Sequence, residues 1–141
     1  MLADKQQRLL DDFLAIPDAQ ERLAAVVARA KRAPALTPAE RIDANRVPGC
    51  VSAVWLVAAI DPATRHLRLR ADADSPLVKG LVAFVCELYD DTPAAEAAAF
   101  HADLLEKLHI AQNLSLTRRN GLAAVQARIR QIAECGLRIV E

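Results

Sequence analysis

The stretch from Leu77 to Tyr89 constrains the fold most, because apart from Lys79, Gly80 and Glu87 nearly every residue in it is apolar. Ser75-Pro76 ahead of it supplies an N-cap and a first helical residue whose missing N–H leaves nothing unsatisfied, so the pattern predicts a helix. A helix that is apolar around most of its circumference has to be covered on most sides. At 141 residues the chain suits one hydrophobic core, and 1–141 is read as a single domain with this helix at its centre.

The covering elements can be read on either side. Leu9, Leu10, Phe13 and Leu14 form a stripe at helical spacing, and Ile16-Pro17-Asp18 ends that helix and offers Asp18 as the next N-cap. In the following helix Leu23, Val26, Val27 and Ala30 take one face, and Glu21, Arg22, Arg29 and Arg32 the other, up to a break from Pro34 to Pro38. Thr37-Pro38-Ala39-Glu40 has the form of a capping box and predicts a short helix to about Asn45. Val51 to Ile60 is rich in Val, Ile, Leu and Trp, whereas His66 to Arg70 alternates, with Leu67 and Leu69 facing a core and His66, Arg68 and Arg70 facing water. The short Asp61-Pro62 connection makes these an antiparallel hairpin. Thr92-Pro93 predicts a further short helix, and a last helix begins near Thr117 with Leu122, Val125, Ile129 and Ile132 inside and Arg128 and Arg130 outside. Helices before and after a small antiparallel sheet, with no alternating crossovers, give an α+β domain of two layers.

Charge narrows the partners: 18 basic and 18 acidic side chains cancel. No single-signed field is available to gather nucleic acid or anionic lipid. The apolar runs fall short of a bilayer span, and Met1-Leu2-Ala3-Asp4-Lys5 does not begin a leader, so a cytoplasmic protein is expected, with neither nucleic acid nor membrane as partner. Cys50, Cys86 and Cys135 are too widely spaced for a zinc ribbon and too few for a disulfide framework, and no metal site is expected.

Among these thiols Cys50 stands out. In Val47-Pro48-Gly49-Cys50, Pro and Gly occupy the two central positions of a type II turn, the second of which needs a positive φ. The turn delivers Cys50 to a loop at the mouth of a strand, where backbone N–H groups can stabilise a thiolate, the form that attacks a sulfur electrophile. The turn alone leaves two readings open, a reactive thiol and a small buried hydrophobe. Cys86, inside the apolar helix, and Cys135, near the C-terminus, read as structural and incidental.

The segment Asn45-Arg46-Val47-Pro48-Gly49-Cys50-Val51-Ser52-Ala53-Val54-Trp55-Leu56 resembles the Gly-Cys-x-Ser-x-Val-Trp signature of SufE proteins. Asp72-Ala73-Asp74-Ser75-Pro76-Leu77-Val78-Lys79-Gly80-Leu81 is similar to that family's second block, and Gln112 to Leu122 to its late Ser-Arg-x-Asn-Gly-Leu block, all in order. The resemblance implies the SufE fold, shared with IscU-type (NifU-like) scaffolds. It also implies that Cys50 takes sulfur as a persulfide from a SufS-like or CsdA-like cysteine desulfurase and activates that enzyme. Delivery would be to iron–sulfur cluster assembly on a SufBCD-like scaffold or, as in CsdE-like carriers, to another acceptor such as a tRNA-modification pathway. The pyridoxal phosphate belongs to the desulfurase, and this chain is expected to bind no cofactor and to turn nothing over alone. Gly49, Ser52 and Trp55 are expected to support the loop, with Val51, Val54 and Trp55 beside a recess that shields the persulfide, although plain core packing also accounts for Trp55. Asp74 and Arg118 match charged family positions and are expected to dock the partner or brace the loop. Lys79 reads as the solvated edge of its helix. Where the family often has His-Leu-Ser-Pro-Ser-Arg, this chain reads Asn113-Leu114-Ser115-Leu116-Thr117-Arg118.

Three other functions compete. A cysteine hydrolase needs a base beside Cys50, but His66 falls on a polar strand face and His101 and His109 in a charged helical stretch. A cluster scaffold needs several cysteines converging on iron. A non-catalytic interaction module would not need Cys50 at all.

Overall fold

The computed structural model describes residues 1–136 apart from Pro34 and Val51, and the backbone of residues 137–140. The expected break at Pro34 and the expected place of Val51 beside the recess lie outside the described residues. Along the chain run helices α1 (Leu2–Leu14) and α2 (Ala19–Ala30), strands β1 (Val54–Ile60) and β2 (His66–Ala73), helix α3 (Pro76–Tyr89), strand β3 (Thr92–Pro93), and helices α4 (Ala94–Ala99), α5 (Leu104–Lys107) and α6 (Leu116–Val140). The sheet is antiparallel with order β1-β2-β3.

Pairing runs from Val54 opposite Ala73 to Ile60 opposite Leu67, so Val54, Leu56, Leu67, Leu69 and Ala71 share the buried face. Against it lie α3, on β2, and α6, on β1, while α2 packs on α3 and α4 on α6. The fold is therefore α+β, helices layered on one sheet face, with α3 burying Leu81, Val82, Phe84, Val85, Cys86, Leu88 and Tyr89. Gly80 permits this packing, since a Cβ there would stand 2.9 Å from the Val27 Cα of α2. Asp18 caps α2 as its sequence predicts, accepting from the Glu21 N–H at 3.1 Å.

Several expectations are corrected. Thr92-Pro93 does not begin a helix but pairs with His66 and Leu67 as β3, and α4 starts only at Ala94. The region after Pro38 makes turns and a single 3₁₀ turn at Asp43–Asn45 instead of an α-helix; Glu40 does accept from the Thr37 N–H at 3.0 Å, but its own N–H bonds the Thr37 carbonyl, so the box closes as a turn. Leu14 is exposed, one position past the face that buries Leu9, Leu10 and Phe13, and Arg32 lies in the turn after α2. Arg22, placed by periodicity on the polar face, is buried and donates to the carbonyls of Ile16, Pro17 and Leu108. Its long stem lets the guanidinium satisfy chain ends that a hydrophobic pattern does not register.

The outer sheet face is open along Arg68 and Arg70 but closed at Asp72, which is 2% exposed. Leu36 folds over that end, and Asp72 accepts from the Leu36 N–H at 3.3 Å, Arg41 at 2.6 Å and its own Ala73 N–H at 2.9 Å, and pairs with Lys79 at 3.3 Å. Burial alone would raise the Asp72 carboxyl, but these donors outweigh it and hold it below the usual carboxylate range. Lys79, expected at a solvated edge, is thus half-buried in an ion pair.

Candidate functional site

Cys50 sits on a loop whose two ends are tied together. The Val47 N–H donates to the Val54 carbonyl at 2.9 Å, Arg46 bridges Trp55 in antiparallel fashion, and Val47 is buried. Gly49 turns the chain with φ 89°, the left-handed value its sequence predicts, and a Cβ there would also come to 3.4 Å from the Ala124 Cβ. On the far side of Cys50 the Asp74 N–H holds the Ala53 carbonyl at 3.2 Å.

The half-buried Cys50 thiol points inward, where its Sγ donates to the Gly121 carbonyl of α6 at 3.4 Å. Beneath it lies a cavity of about 340 Å³. Its floor is apolar, formed by Val54 of β1, Val78, Leu81 and Val82 of α3, and Leu122 and Val125 of α6. Ser52, Ser115, Thr117 and Arg118 make its rim polar. Burial pushes the Cys50 thiol above its ordinary value, and the Arg46 charge acts in the opposite direction without cancelling that. The site therefore favours the thiol: where backbone N–H groups were expected beside the sulfur, the structure places a carbonyl.

The other site residues separate. Gly49 shapes the turn, and Ser52 lies on the rim. Arg118 is on the rim as well; its N–H donates to Ser115 Oγ at 3.2 Å, which makes Ser115 the N-cap of α6. Trp55 is half-buried but does not line the recess: Val54 does, and adjacent strand residues point to opposite faces, so Trp55 lies on the outer face opposite Asp72. Asp74 is exposed in the bend between β2 and α3, holding the loop through its backbone and not lining the recess. Cys86 is buried with its thiol pushed up to about 12, chiefly by desolvation, and Cys135 is exposed on α6. No histidine lines the recess: His66 meets Asp91 at 3.1 Å, and His101 and His109 are exposed, flanking the single turn of α5. The contribution of α6 to the cavity, through Gly121, Leu122 and Val125, was hidden in sequence because it lies some 70 residues from Cys50; only the late family-like block marked it.

Residues 7–133 match the family model described as the Fe-S metabolism associated domain, SufE. A SufE-like protein of Rhizobium etli is 37% identical over 130 residues, covering 90% of this chain and 88% of its own, and one of Rhizobium meliloti is 32% identical, covering 90% and 93%. A chloroplastic quinolinate synthase of rice is 45% identical over 83 residues, 59% of this chain but only 12% of that longer one. The solution structure of a hypothetical protein from Thermus thermophilus superposes with a TM-score of 0.77 over 95% of this chain and 96% of that one at 18% identity, a likeness of fold. With the family model spanning the strand hairpin, the Cys50 loop and the α6 wall, the chain belongs to the SufE family.

Proposed function

We propose that Cys50 accepts a sulfur atom from the persulfide of a cysteine desulfurase and hands it on for iron–sulfur cluster assembly. Membership of the SufE family ties the chain to iron–sulfur metabolism. The observation that carries the finer reading is a cysteine at the tip of a tethered loop, seated over an apolar recess.

The exchange balances without an external oxidant. Cys50 thiolate attacks the outer sulfur of the donor persulfide; the donor S–S bond breaks, its electron pair leaves on the donor cysteine, and a new S–S bond forms at Cys50. Because the parked thiol faces inward and bonds Gly121, attack requires the loop to turn outward on its Val47–Val54 clasp. Return to the recess keeps water and small thiols from the loaded sulfur. In this reading the pyridoxal phosphate chemistry is the desulfurase's, and the chain speeds that enzyme by clearing its product persulfide. Asp74 and Arg118, on opposite sides of the loop, are where a SufS-like or CsdA-like partner would dock. Cys50, Cys86 and Cys135 lie at a recess, in the core and on the surface, and among the described residues no group of three or more His, Cys, Asp or Glu side chains is placed to hold a metal, which argues against a cluster scaffold. No helix among the described residues is long and apolar enough to cross a membrane.

The test is intact mass after incubation with a desulfurase and free cysteine without reductant. Wild type gains one sulfur and Cys50→Ser gains none; no gain in wild type with SufS-like and CsdA-like enzymes alike would sink the carrier reading.

A further inference from the structure

A loop that swings out leaves behind whatever the recess supplied and keeps only what lies on the loop or at its root. Arg118 belongs to α6, and α3 offers the recess Val78, Leu81 and Val82, with no charge. Lys79 is engaged by Asp72. Asp74, at the β2–α3 bend, is acidic and is held to the loop's far end through its backbone. Arg46 is different. Its backbone forms the loop's root through the bridge to Trp55, its side chain is exposed, and it has no ion pair among the described residues. Four residues of chain, roughly 14 Å at full extension, are the most that can separate its Cα from that of Cys50, and its own stem shortens the gap.

We propose that Arg46 is the positioning residue for the sulfur anion: from the fixed root of the loop it holds by charge first the attacking thiolate and then the loaded persulfide when Cys50 leaves the recess. The inference rests on the carrier reading for its purpose but not for its test. In the parked loop Arg46 already favours the thiolate against the larger effect of burial. Once the loop turns out, the burial penalty falls away and the guanidinium stays. Arg118 stays on the rim of the recess, whereas Arg46 stands at the root of the loop that carries the sulfur.

The experiment is the rate of Cys50 alkylation by iodoacetamide against pH on the isolated full chain, in a Cys86→Ala, Cys135→Ala background, for wild type, Arg46→Gln, Arg46→Lys and Arg46→Glu. The substituted side chain is exposed and the bridge is made by backbone, so folding is checked by circular dichroism and expected to hold. Arg46→Gln should slow alkylation near neutral pH by about three- to tenfold, as expected for losing one unit charge several ångströms away through a mostly aqueous path. Arg46→Glu should slow it further, Arg46→Lys should restore it, and high salt should narrow the wild-type advantage. Superimposable pH profiles for wild type and Arg46→Gln would overturn the proposal, as would equal slowing in Arg46→Lys, which would mark a packing effect. Failure here with sulfur still gained on Cys50 would remove only the role of Arg46; failure of sulfur gain would remove the carrier reading whatever the profiles show.

Discussion

Two cavities flank α3, and the larger one is not the candidate site. The groove between α2, α3 and β2 measures about 420 Å³ and has Cys86 in its wall, against about 340 Å³ beneath Cys50. Most of its rim charges are engaged, though Arg32 has no ion pair among the described residues: Arg29 holds Glu87 with 2.9 Å contacts while lying 5.7 Å from the Phe13 ring, and Arg70 holds Glu40, whose carboxyl is drawn down to about 2 chiefly by that arginine. Cys86 is fixed in a helix and is only 5% exposed. Around Cys50 the segment is a loop clasped at its root, and Arg46 and Arg118 have no ion pair among the described residues. What separates the two thiols is the backbone that carries them, a clasped loop against a helix, and not the space beside them.

The contrast can be broken most directly by labelling. With a small alkylating agent under native conditions, Cys86 should react at least about 10³-fold more slowly than Cys50, since it must await opening of the core. Both thiols are raised, so each is mostly protonated at neutral pH, and the Cys50 rate should climb about tenfold per pH unit until its own pKa is reached. Comparable rates for the two would show that the helix protects no better than the loop. Next in size, Cys86→Ser buries a hydroxyl among apolar neighbours and should cost about 1–3 kcal/mol in urea unfolding while leaving sulfur gain on Cys50 intact. Loss of sulfur gain in that variant would mean that the two regions are coupled. Smallest, Gly49→Ala should cost about 1–2 kcal/mol, from a side chain forced into a left-handed backbone, and should raise the accessibility of Cys50 by loosening the loop from Ala124. An unchanged unfolding midpoint would show that the loop is not seated by this turn.

Much of this was legible because local chemistry and global position agree. The Leu77–Tyr89 stretch could not sit anywhere but the centre, the alternation at Leu67 and Leu69 set the hairpin's register, and Pro48-Gly49 announced the turn. The misses share a cause. Thr92-Pro93 carries a helix-start signal that is overridden by pairing with His66 and Leu67, and Arg22 carries a charge that sequence periodicity assigns to water although hydrogen bonds keep it inside. The same blindness hid the recess, whose α6 wall meets the loop only in three dimensions; of the two readings left open for Trp55, strand alternation supports packing away from the recess, across the sheet from Val54.

The loop rests on the small residues Gly121 and Ala124 of α6, and that helix takes its rotation from Leu122, Val125, Ile129 and Ala133, all in the core. One extra residue between Arg118 and Gly121 would turn the rim residues Ser115, Thr117 and Arg118 by about 100° relative to the core stripe, or else drag the stripe out of the core. Descendants of this chain are thus free to exchange side chains around the mouth, as at Leu116, which is 65% exposed, but not to change the count of residues there. Substitution, and not insertion, is the path by which such a mouth can be fitted to a new partner.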